Sequence, residues 1–444
     1  MKPQRRLRLT GITFAAFATL AVGSAATAVD TDPPPPMTMD LAREITHSTR
    51  PLTVEEIDRY EEAIAFRWGA ARPDQVAEKL KGTLETLGRD GGATWVSEEE
   101  TLNIYVSGPT VGKDAAIDKV KTLVADVIRG SNVKVQIHAG GLRSEVQLVS
   151  TMDAVSDTKS YDTTGTVKVR SQVINYKTGK VAVDVTSQTA AEIVEKKFGD
   201  AVEVQVKPSY TQAELDEMFQ VENRRSDSPS NGWSGGTAMC SSNSGDCTQG
   251  AAAGDTATCT TGLKWILAGQ VRLASAGHCF ATGNAYYRYA SPRYGIATQA
   301  GTNWLFNSNV DGALTDPPNG YSVRNQFWIG GRYGSESRTI TAWDDSMTVG
   351  QPVLVSGANS GVHTGEVRTV FDRTCNNVPL TTTNISGTVG GDSGATVAQP
   401  NAASPESGDY VALGVHSCRP AGAYARFSRA ATIANELGGY PATS

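Results

Sequence analysis

The hydrophobic rhythm of this chain changes once, close to residue 230, and that change limits its fold more than any other feature. Upstream, apolar residues recur at helical three-four spacing between short alternating runs. Downstream, runs such as "TATCT", "WILAG", "TVGQPVLVSG", "EVRTVF" and "YVALGVHS" are separated by Gly, Asn and Ser turns. A helical pattern returns only near Ala430 to Leu437. Short β-prone runs joined by tight turns bury their apolar faces by closing into a barrel or sandwich. The second half is therefore expected to be all-β with a short terminal helix.

Cysteine and charge follow the same divide. All six cysteines, Cys240, Cys247, Cys259, Cys279, Cys375 and Cys418, lie in the second half. From Trp233 onward 12 basic and 13 acidic residues nearly cancel, whereas the stretch from Thr31 to Glu222 is acidic and rich in Glu, Asp and Lys. The net charge of -6 over 444 residues, with no basic block, argues against nucleic acid as a partner. Two halves that differ this much are expected to be separate domains, divided across the polar stretch Glu222 to Gly236, a natural proteolytic target.

At the start, Lys2, Arg5, Arg6 and Arg8 precede an apolar run from Leu9 to Val22, which ends in Ala26-Thr27-Ala28. This reads as a secretory signal peptide over residues 1–28, cut after Ala28. The run is shorter than the roughly 20 residues a membrane span needs, so a secreted, extracellular protein without stable membrane association is expected. In an oxidising compartment the cysteines are expected to form three disulfides. Their spacing suggests no metal site, and no cofactor is expected, although a calcium site made from scattered carboxylates stays open.

Between the signal and the divide, "DPPPP" reads as an extended linker. Thr53-Val54-Glu55-Glu56 is a capping box that opens a helix to about Phe66, and a second helix is expected over about Asp74 to Leu87. A longer pattern then occurs twice. "GATWVSEEETLNIYVSG", a helix near Asp114 to Ile128 and "NVKVQIH" form the first copy. "VRSQVINYKTGKVAVDV", a helix from Thr189 to Phe198 and "AVEVQVK" form the second. Both read as strand, turn, strand, helix, strand, an internal repeat of small α+β units near 91–138 and 167–208. A capped helix from about Thr211 to Phe219 follows. Neither unit carries a phosphate cradle or a Cys/His cluster, so a scaffold or chaperone-like role suits this half better than chemistry.

The second half holds the residues suited to chemistry. "ASAGHCF" carries His278, "SNVDGALT" carries Asp311, and "GTVGGDSGAT" carries Ser393 between glycines. Serine attacks an amide only when a base takes its proton, and a carboxylate must hold that base in one tautomer. Gly391 and Gly394 let the chain turn so that the N–H groups of Gly391 and Ser393 can face one developing oxyanion.

These motifs resemble the secreted chymotrypsin-like serine proteases, specifically the streptogrisin and alpha-lytic protease branch. Ser275-Ala276-Gly277-His278-Cys279 resembles the family's histidine motif, Asp311 its "D-x-A-L" aspartate, and Gly391 to Gly394 its "GDSG". The resemblance implies that His278 is general base, Asp311 orients it, Ser393 attacks, and Gly391 with Ser393 forms the oxyanion hole. It implies two six-stranded antiparallel barrels, a trypsin-like serine protease domain over 237–444. It also implies an α+β pro-region over 29–225, serving as folding aid and inhibitor, and a processing linker over 226–236. Cys259–Cys279 resembles the disulfide of the histidine loop. Cys375 is then left for Cys418, and Cys240 for Cys247. Ala395 stands where the family usually has glycine, and it is the main clue to the alternative, an inactive relative that binds peptides in the same cleft. A secreted adhesion module would explain the disulfides but not the order of base and nucleophile.

In this frame the function expected is a largely monomeric serine endopeptidase made as a zymogen and acting on protein or peptide substrates through an acyl-enzyme. Gly387 takes the pocket-floor position and Thr388 follows it. No carboxylate lies on that segment, so an apolar or medium-sized residue before the scissile bond is expected. Ser417 resembles the serine of the substrate-binding strand. His416 and Arg419 beside it either shape the cleft, the favoured reading, or read an acidic residue. Arg373 is a candidate partner for Asp392. His363 is expected to be structural or solvent-exposed, and the Asn384-Ile385-Ser386 sequon would mark exposure.

Overall fold

Reciprocal bonds between Thr53 and Glu56 start the helix Val54–Asp58, which a second helix, Tyr60–Trp68, follows at once. The computed structural model that shows this describes residues 34–443, apart from 210–232, 242–258, 281–284, 288–295 and shorter loop segments at 87–90, 97–100, 108–112, 142, 298, 307–308, 318–321, 332–333, 335, 376, 404–407 and 421. The signal segment, the expected helix at 211–219 and the cysteine at 247 therefore lie outside the described residues.

The two repeats share one topology. Gly91–Val96 and Thr101–Ser107 form an antiparallel hairpin, the helix Lys113–Val127 carries the chain back, and Lys134–Gly141 pairs parallel with the second strand. Val169–Asn175, Lys180–Val185, the helix Gln188–Phe198 and Val202–Val206 repeat that path. In the second unit the alternation of Val181, Val183 and Val185 puts all three on one face, packed against Ala190, Ala191 and Val194 of the helix. Two helices not expected from the sequence, Met39–Thr46 and Glu145–Ser156, complete this half.

In the second half a barrel closes. Pro352–Gly357, Gly361–Asp372, Leu380–Thr383, Arg426–Arg429, Tyr410–Cys418 and Thr396–Pro400 pair antiparallel in that order, and the last strand returns to the first. The expected second ring differs. Its strands form a five-stranded sheet containing Gln270–Ser275 and Asp311–Thr315 and a four-stranded sheet containing Cys259–Thr260. Among the described residues these do not close into a second ring of six. The strands that would have to bridge them adjoin loops outside the described residues. The end of the expected processing linker is also different. Trp233–Gly235 is a buried strand parallel to Val323–Ile329, with Trp233 fully covered.

The halves do not stand apart: Met37–Ser444 forms one compact unit. The strand Gly361–Asp372 meets several N-terminal elements. The Leu52 N–H donates to the Val362 carbonyl at 2.9 Å, and the Thr364 N–H donates to Ser48 Oγ at 3.0 Å. The buried Tyr60 hydroxyl reaches the Val353 carbonyl at 3.1 Å. Farther along, Val173 pairs with Asp372, so the second repeat extends the barrel sheet.

Candidate active site

Strand register brings His278 to Asp311. Ser275 lies opposite Ala313 and Leu273 opposite Thr315, so the histidine turn just after Ser275 and Asp311 just before Ala313 lie at the same end of this strand pair. His278 follows in the short 3-10 turn Gly277–Phe280, and Asp311 opens its strand. The fully buried carboxylate holds the histidine at two points. The His278 N–H donates to Oδ1 at 2.9 Å, and Nδ1 lies 2.8 Å from Oδ2. A carboxylate at Nδ1 fixes the proton there and leaves Nε2 as the basic nitrogen. The Ser417 hydroxyl donates to the same Oδ2 at 2.6 Å. Burial alone would raise the Asp311 pKa, but His278 and the Ser417 hydroxyl outweigh it and hold the carboxyl below its ordinary value.

Ser393 lies in the turn before strand Thr396–Pro400, flanked at close range by Gly391 at φ +87° and Gly394 at φ +89°. Both glycines use the left-handed region that a side chain disfavours, and a Cβ on Gly394 would lie 2.1 Å from Ser275 Oγ. The Ser393 hydroxyl donates to the Ser417 carbonyl at 3.0 Å. Ser417 thus joins the serine turn to Asp311. The Thr260 N–H donates to the Ser393 carbonyl at 2.7 Å, and the Thr260 hydroxyl to the Gly391 carbonyl at 2.7 Å. Cys259, next to Thr260, is disulfide-bonded to Cys279, next to His278. The histidine turn and the serine turn are therefore tied to one short strand.

Asp392 is buried and is not held by Arg373. Its carboxylate accepts from the N–H groups of Val389, Asn359 and Ser360 and from the Ser360 hydroxyl, at 2.5 to 3.2 Å. Burial pushes its pKa up despite these donors. Arg373 instead pairs with Asp153 of the N-terminal half at 2.7 Å. Neither Asn359 nor Ser360 stands out in the sequence, because recognising them requires knowing which turn faces Asp392.

Ala395 fits without backbone strain. Among the described residues the non-glycines at positive φ are Ala268 and Asn377, and Ala395 packs fully buried in the main core. Cys375–Cys418 is also bonded. Of the two expectations for His363, structural or solvent-exposed, exposure does not hold: it lies within a strand and is 1% exposed. Asn384 is likewise buried and accepts the Glu366 N–H, so the sequon does not mark an exposed site. Gly387, Thr388, His416 and Ser417 lie close to the serine turn, and His416 is bonded through its main chain to Gly394 and Ala395. Near His278 the sulfurs of Cys259 and Cys279 are already joined to each other, which removes them as thiolate ligands.

Among solved structures, this chain is similar to Cellulomonas bogoriensis chymotrypsin, with 21% identity over 48% of this chain and 98% of that one and a TM-score of 0.33. It is also similar to Thermobifida fusca Protease A, with 22% identity, 48% and 98% coverage and a TM-score of 0.36. For a Nocardiopsis protease the values are 21%, 47% and 97%, and 0.33. No family model matches this chain, and no curated protein matches it.

Proposed function

We propose that the chain is the precursor of a secreted serine endopeptidase. In this reading His278 Nε2 takes the Ser393 proton as Oγ attacks a peptide carbonyl, and Asp311 steadies the imidazolium that forms. The N–H groups of Gly391 and Ser393 face the tetrahedral oxyanion. Breakdown releases the amine with the proton returned by His278, and water then hydrolyses the acyl-enzyme by the same route. The observation that carries the reading is the double hold of Asp311 on His278, with Ser417 joining that carboxylate to the Ser393 hydroxyl.

The N-terminal half is the pro-region in this proposal. Its docking along one barrel strand suits a folding aid for a topology rich in distant pairings. With Trp233–Gly235 buried in strand, the processing cut falls upstream, within 222–232. Among the described residues no helix is long and apolar enough to cross a membrane.

A fluorophosphonate probe tests the enzyme directly. The folded chain, cut by limited proteolysis, should label at Ser393, and Ser393→Ala should not. Folded, cut protein that stays unlabelled and cleaves no peptide would overturn the reading, and peptide binding without turnover would point to the inactive relative.

A further inference from the structure

In the serine turn each carbonyl from Val389 to Ser393 already has a donor. Val389 takes the Asp392 N–H at 3.2 Å, Asp392 takes the Ala395 N–H at 2.9 Å, and Ser393 takes the Thr260 N–H at 2.7 Å. Gly391 takes the Thr260 hydroxyl at 2.7 Å. The Gly390 carbonyl takes the side-chain Nδ2 of Asn359, 31 residues upstream, at 2.6 Å. Of the N–H groups, those of Asp392 and Gly394 are bonded, to Val389 and His416. Those of Gly391 and Ser393 meet no acceptor among the described residues.

Asn359 makes that one side-chain bond at a cost. It lies in the turn between Pro352–Gly357 and Gly361–Asp372, is 4% exposed, and its Oδ1 is buried without a hydrogen-bond donor among the described residues. An apolar side chain of the same size would leave no such atom unpaired, so packing alone does not call for an asparagine here. The turn also fixes where Asn359 stands. Its N–H donates to Asp392 Oδ1 at 2.9 Å, and a Cβ added at Gly357 would come within 2.2 Å of the same oxygen. The Asn359 amide is therefore aimed from a backbone already locked to the serine turn.

A trans peptide points its N–H opposite to its carbonyl, so whatever holds the Gly390 carbonyl also aims the Gly391 N–H. Two glycines meet at this peptide, and neither has a side chain to hinder its rotation. On the protease reading above, we propose that Asn359 is a positioning residue of the oxyanion hole: its amide holds the Gly390–Gly391 peptide so that the Gly391 N–H faces the developing oxyanion. Asn359 touches neither substrate nor reacting atoms and acts through Gly391. The Ser393 N–H is aimed without such help, because the Asp392 carbonyl of the same peptide is held by the Ala395 N–H within the turn.

The test uses the full chain after limited proteolysis, with active sites counted by fluorophosphonate labelling run to completion and stability followed in urea. Asn359→Leu keeps the bulk and loses the donor. Its kcat per labelled site should fall by about tenfold or more with little change in KM, since loss of an oxyanion donor itself costs about 10²–10³ in kcat. A peptidyl trifluoromethyl ketone, whose adduct with Ser393 carries the same oxyanion, should bind more weakly by a similar factor. Loss of packing alone would lower the urea midpoint and the number of labelled sites, not these two quantities. Asn359→Ala serves if Asn359→Leu does not fold. A folded variant whose kcat and ketone affinity stay within about threefold of the parent would overturn the role of Asn359 while the protease reading stands. A parent chain that neither labels nor cleaves would overturn both.

Discussion

Arg67 of the N-terminal half and Glu366 of the barrel form an ion pair at 3.0 Å with side chains only 1% and 3% exposed. Trp68 Nε1 donates to the same carboxylate oxygen at 3.2 Å. Removing one member of such a pair leaves the other charge buried, at a cost of about 3–5 kcal/mol. Arg67→Met is expected to lower the stability of the full chain by that order and to loosen the N-terminal half. Urea unfolding and protease sensitivity would register both, and an unchanged midpoint would mean that the pair contributes nothing to docking.

Asp311→Asn keeps the size of the side chain but loses the charge that orients and steadies His278. Its expected effect is a fall in kcat by about ten-thousandfold with little change in KM. Steady-state kinetics on a peptide substrate would measure it, and a loss confined to KM would contradict the role given to Asp311.

Gly394 and Ala395 should respond differently. Gly394→Ala forces a Cβ to 2.1 Å from Ser275 Oγ and 2.3 Å from the Thr260 carbonyl, at a φ of +89°. It should destabilise the fold by at least about 2 kcal/mol. Ala395→Gly, at a site without strain, should label with fluorophosphonate at close to the parent rate. A large gain on that change would mean that the methyl restrains the nucleophile.

Acid should unfold the protein through its buried histidines. Above the ordinary histidine value of 6.5, His363 and His416 are neutral in both states and add no pH dependence. As pH falls, the unfolded chain takes up protons that the folded chain refuses. Stability is then lost from 6.5 down to about 4 for His363 and about 3 for His416. Each contributes a slope approaching about 1.4 kcal/mol per pH unit. Asp311, held below its ordinary value of 3.8, adds a loss as pH falls below that value and its carboxylate protonates. Denaturant midpoints taken between about pH 7 and about pH 5 should fall, and less steeply in a folded His416→Phe variant.

What could be read from the sequence was whatever local periodicity or local motif encodes. The capping box at Thr53, the paired α+β units and the terminal helix Ala430–Leu437 all left such marks. Glu145–Ser156 left one too, since Ser144 and Gln147 form a capping box, but its apolar stripe is weak. Met39–Thr46 is short, and its Thr38 cap and the spacing of Leu41 and Ile45 are the only local signals. The histidine, aspartate and serine were legible as motifs. The settings of His363, Arg373 and Asp392 were not, because each depends on contacts between segments far apart in the chain. Nothing local in "GVHTGEV" says that the His363 ring lies against Gly387.

The strand Gly361–Asp372 serves two masters. Its Val362, Thr364 and Glu366 positions grip the N-terminal half, while His363 between them lies against Gly387. If the halves part as the proposed maturation requires, Val362 would give up the Leu52 amide and Glu366 the Arg67 guanidinium. On the proposed maturation, the cut molecule would keep a tacky seam shaped to its former companion, and lasting release would require that the companion be destroyed, not merely detached.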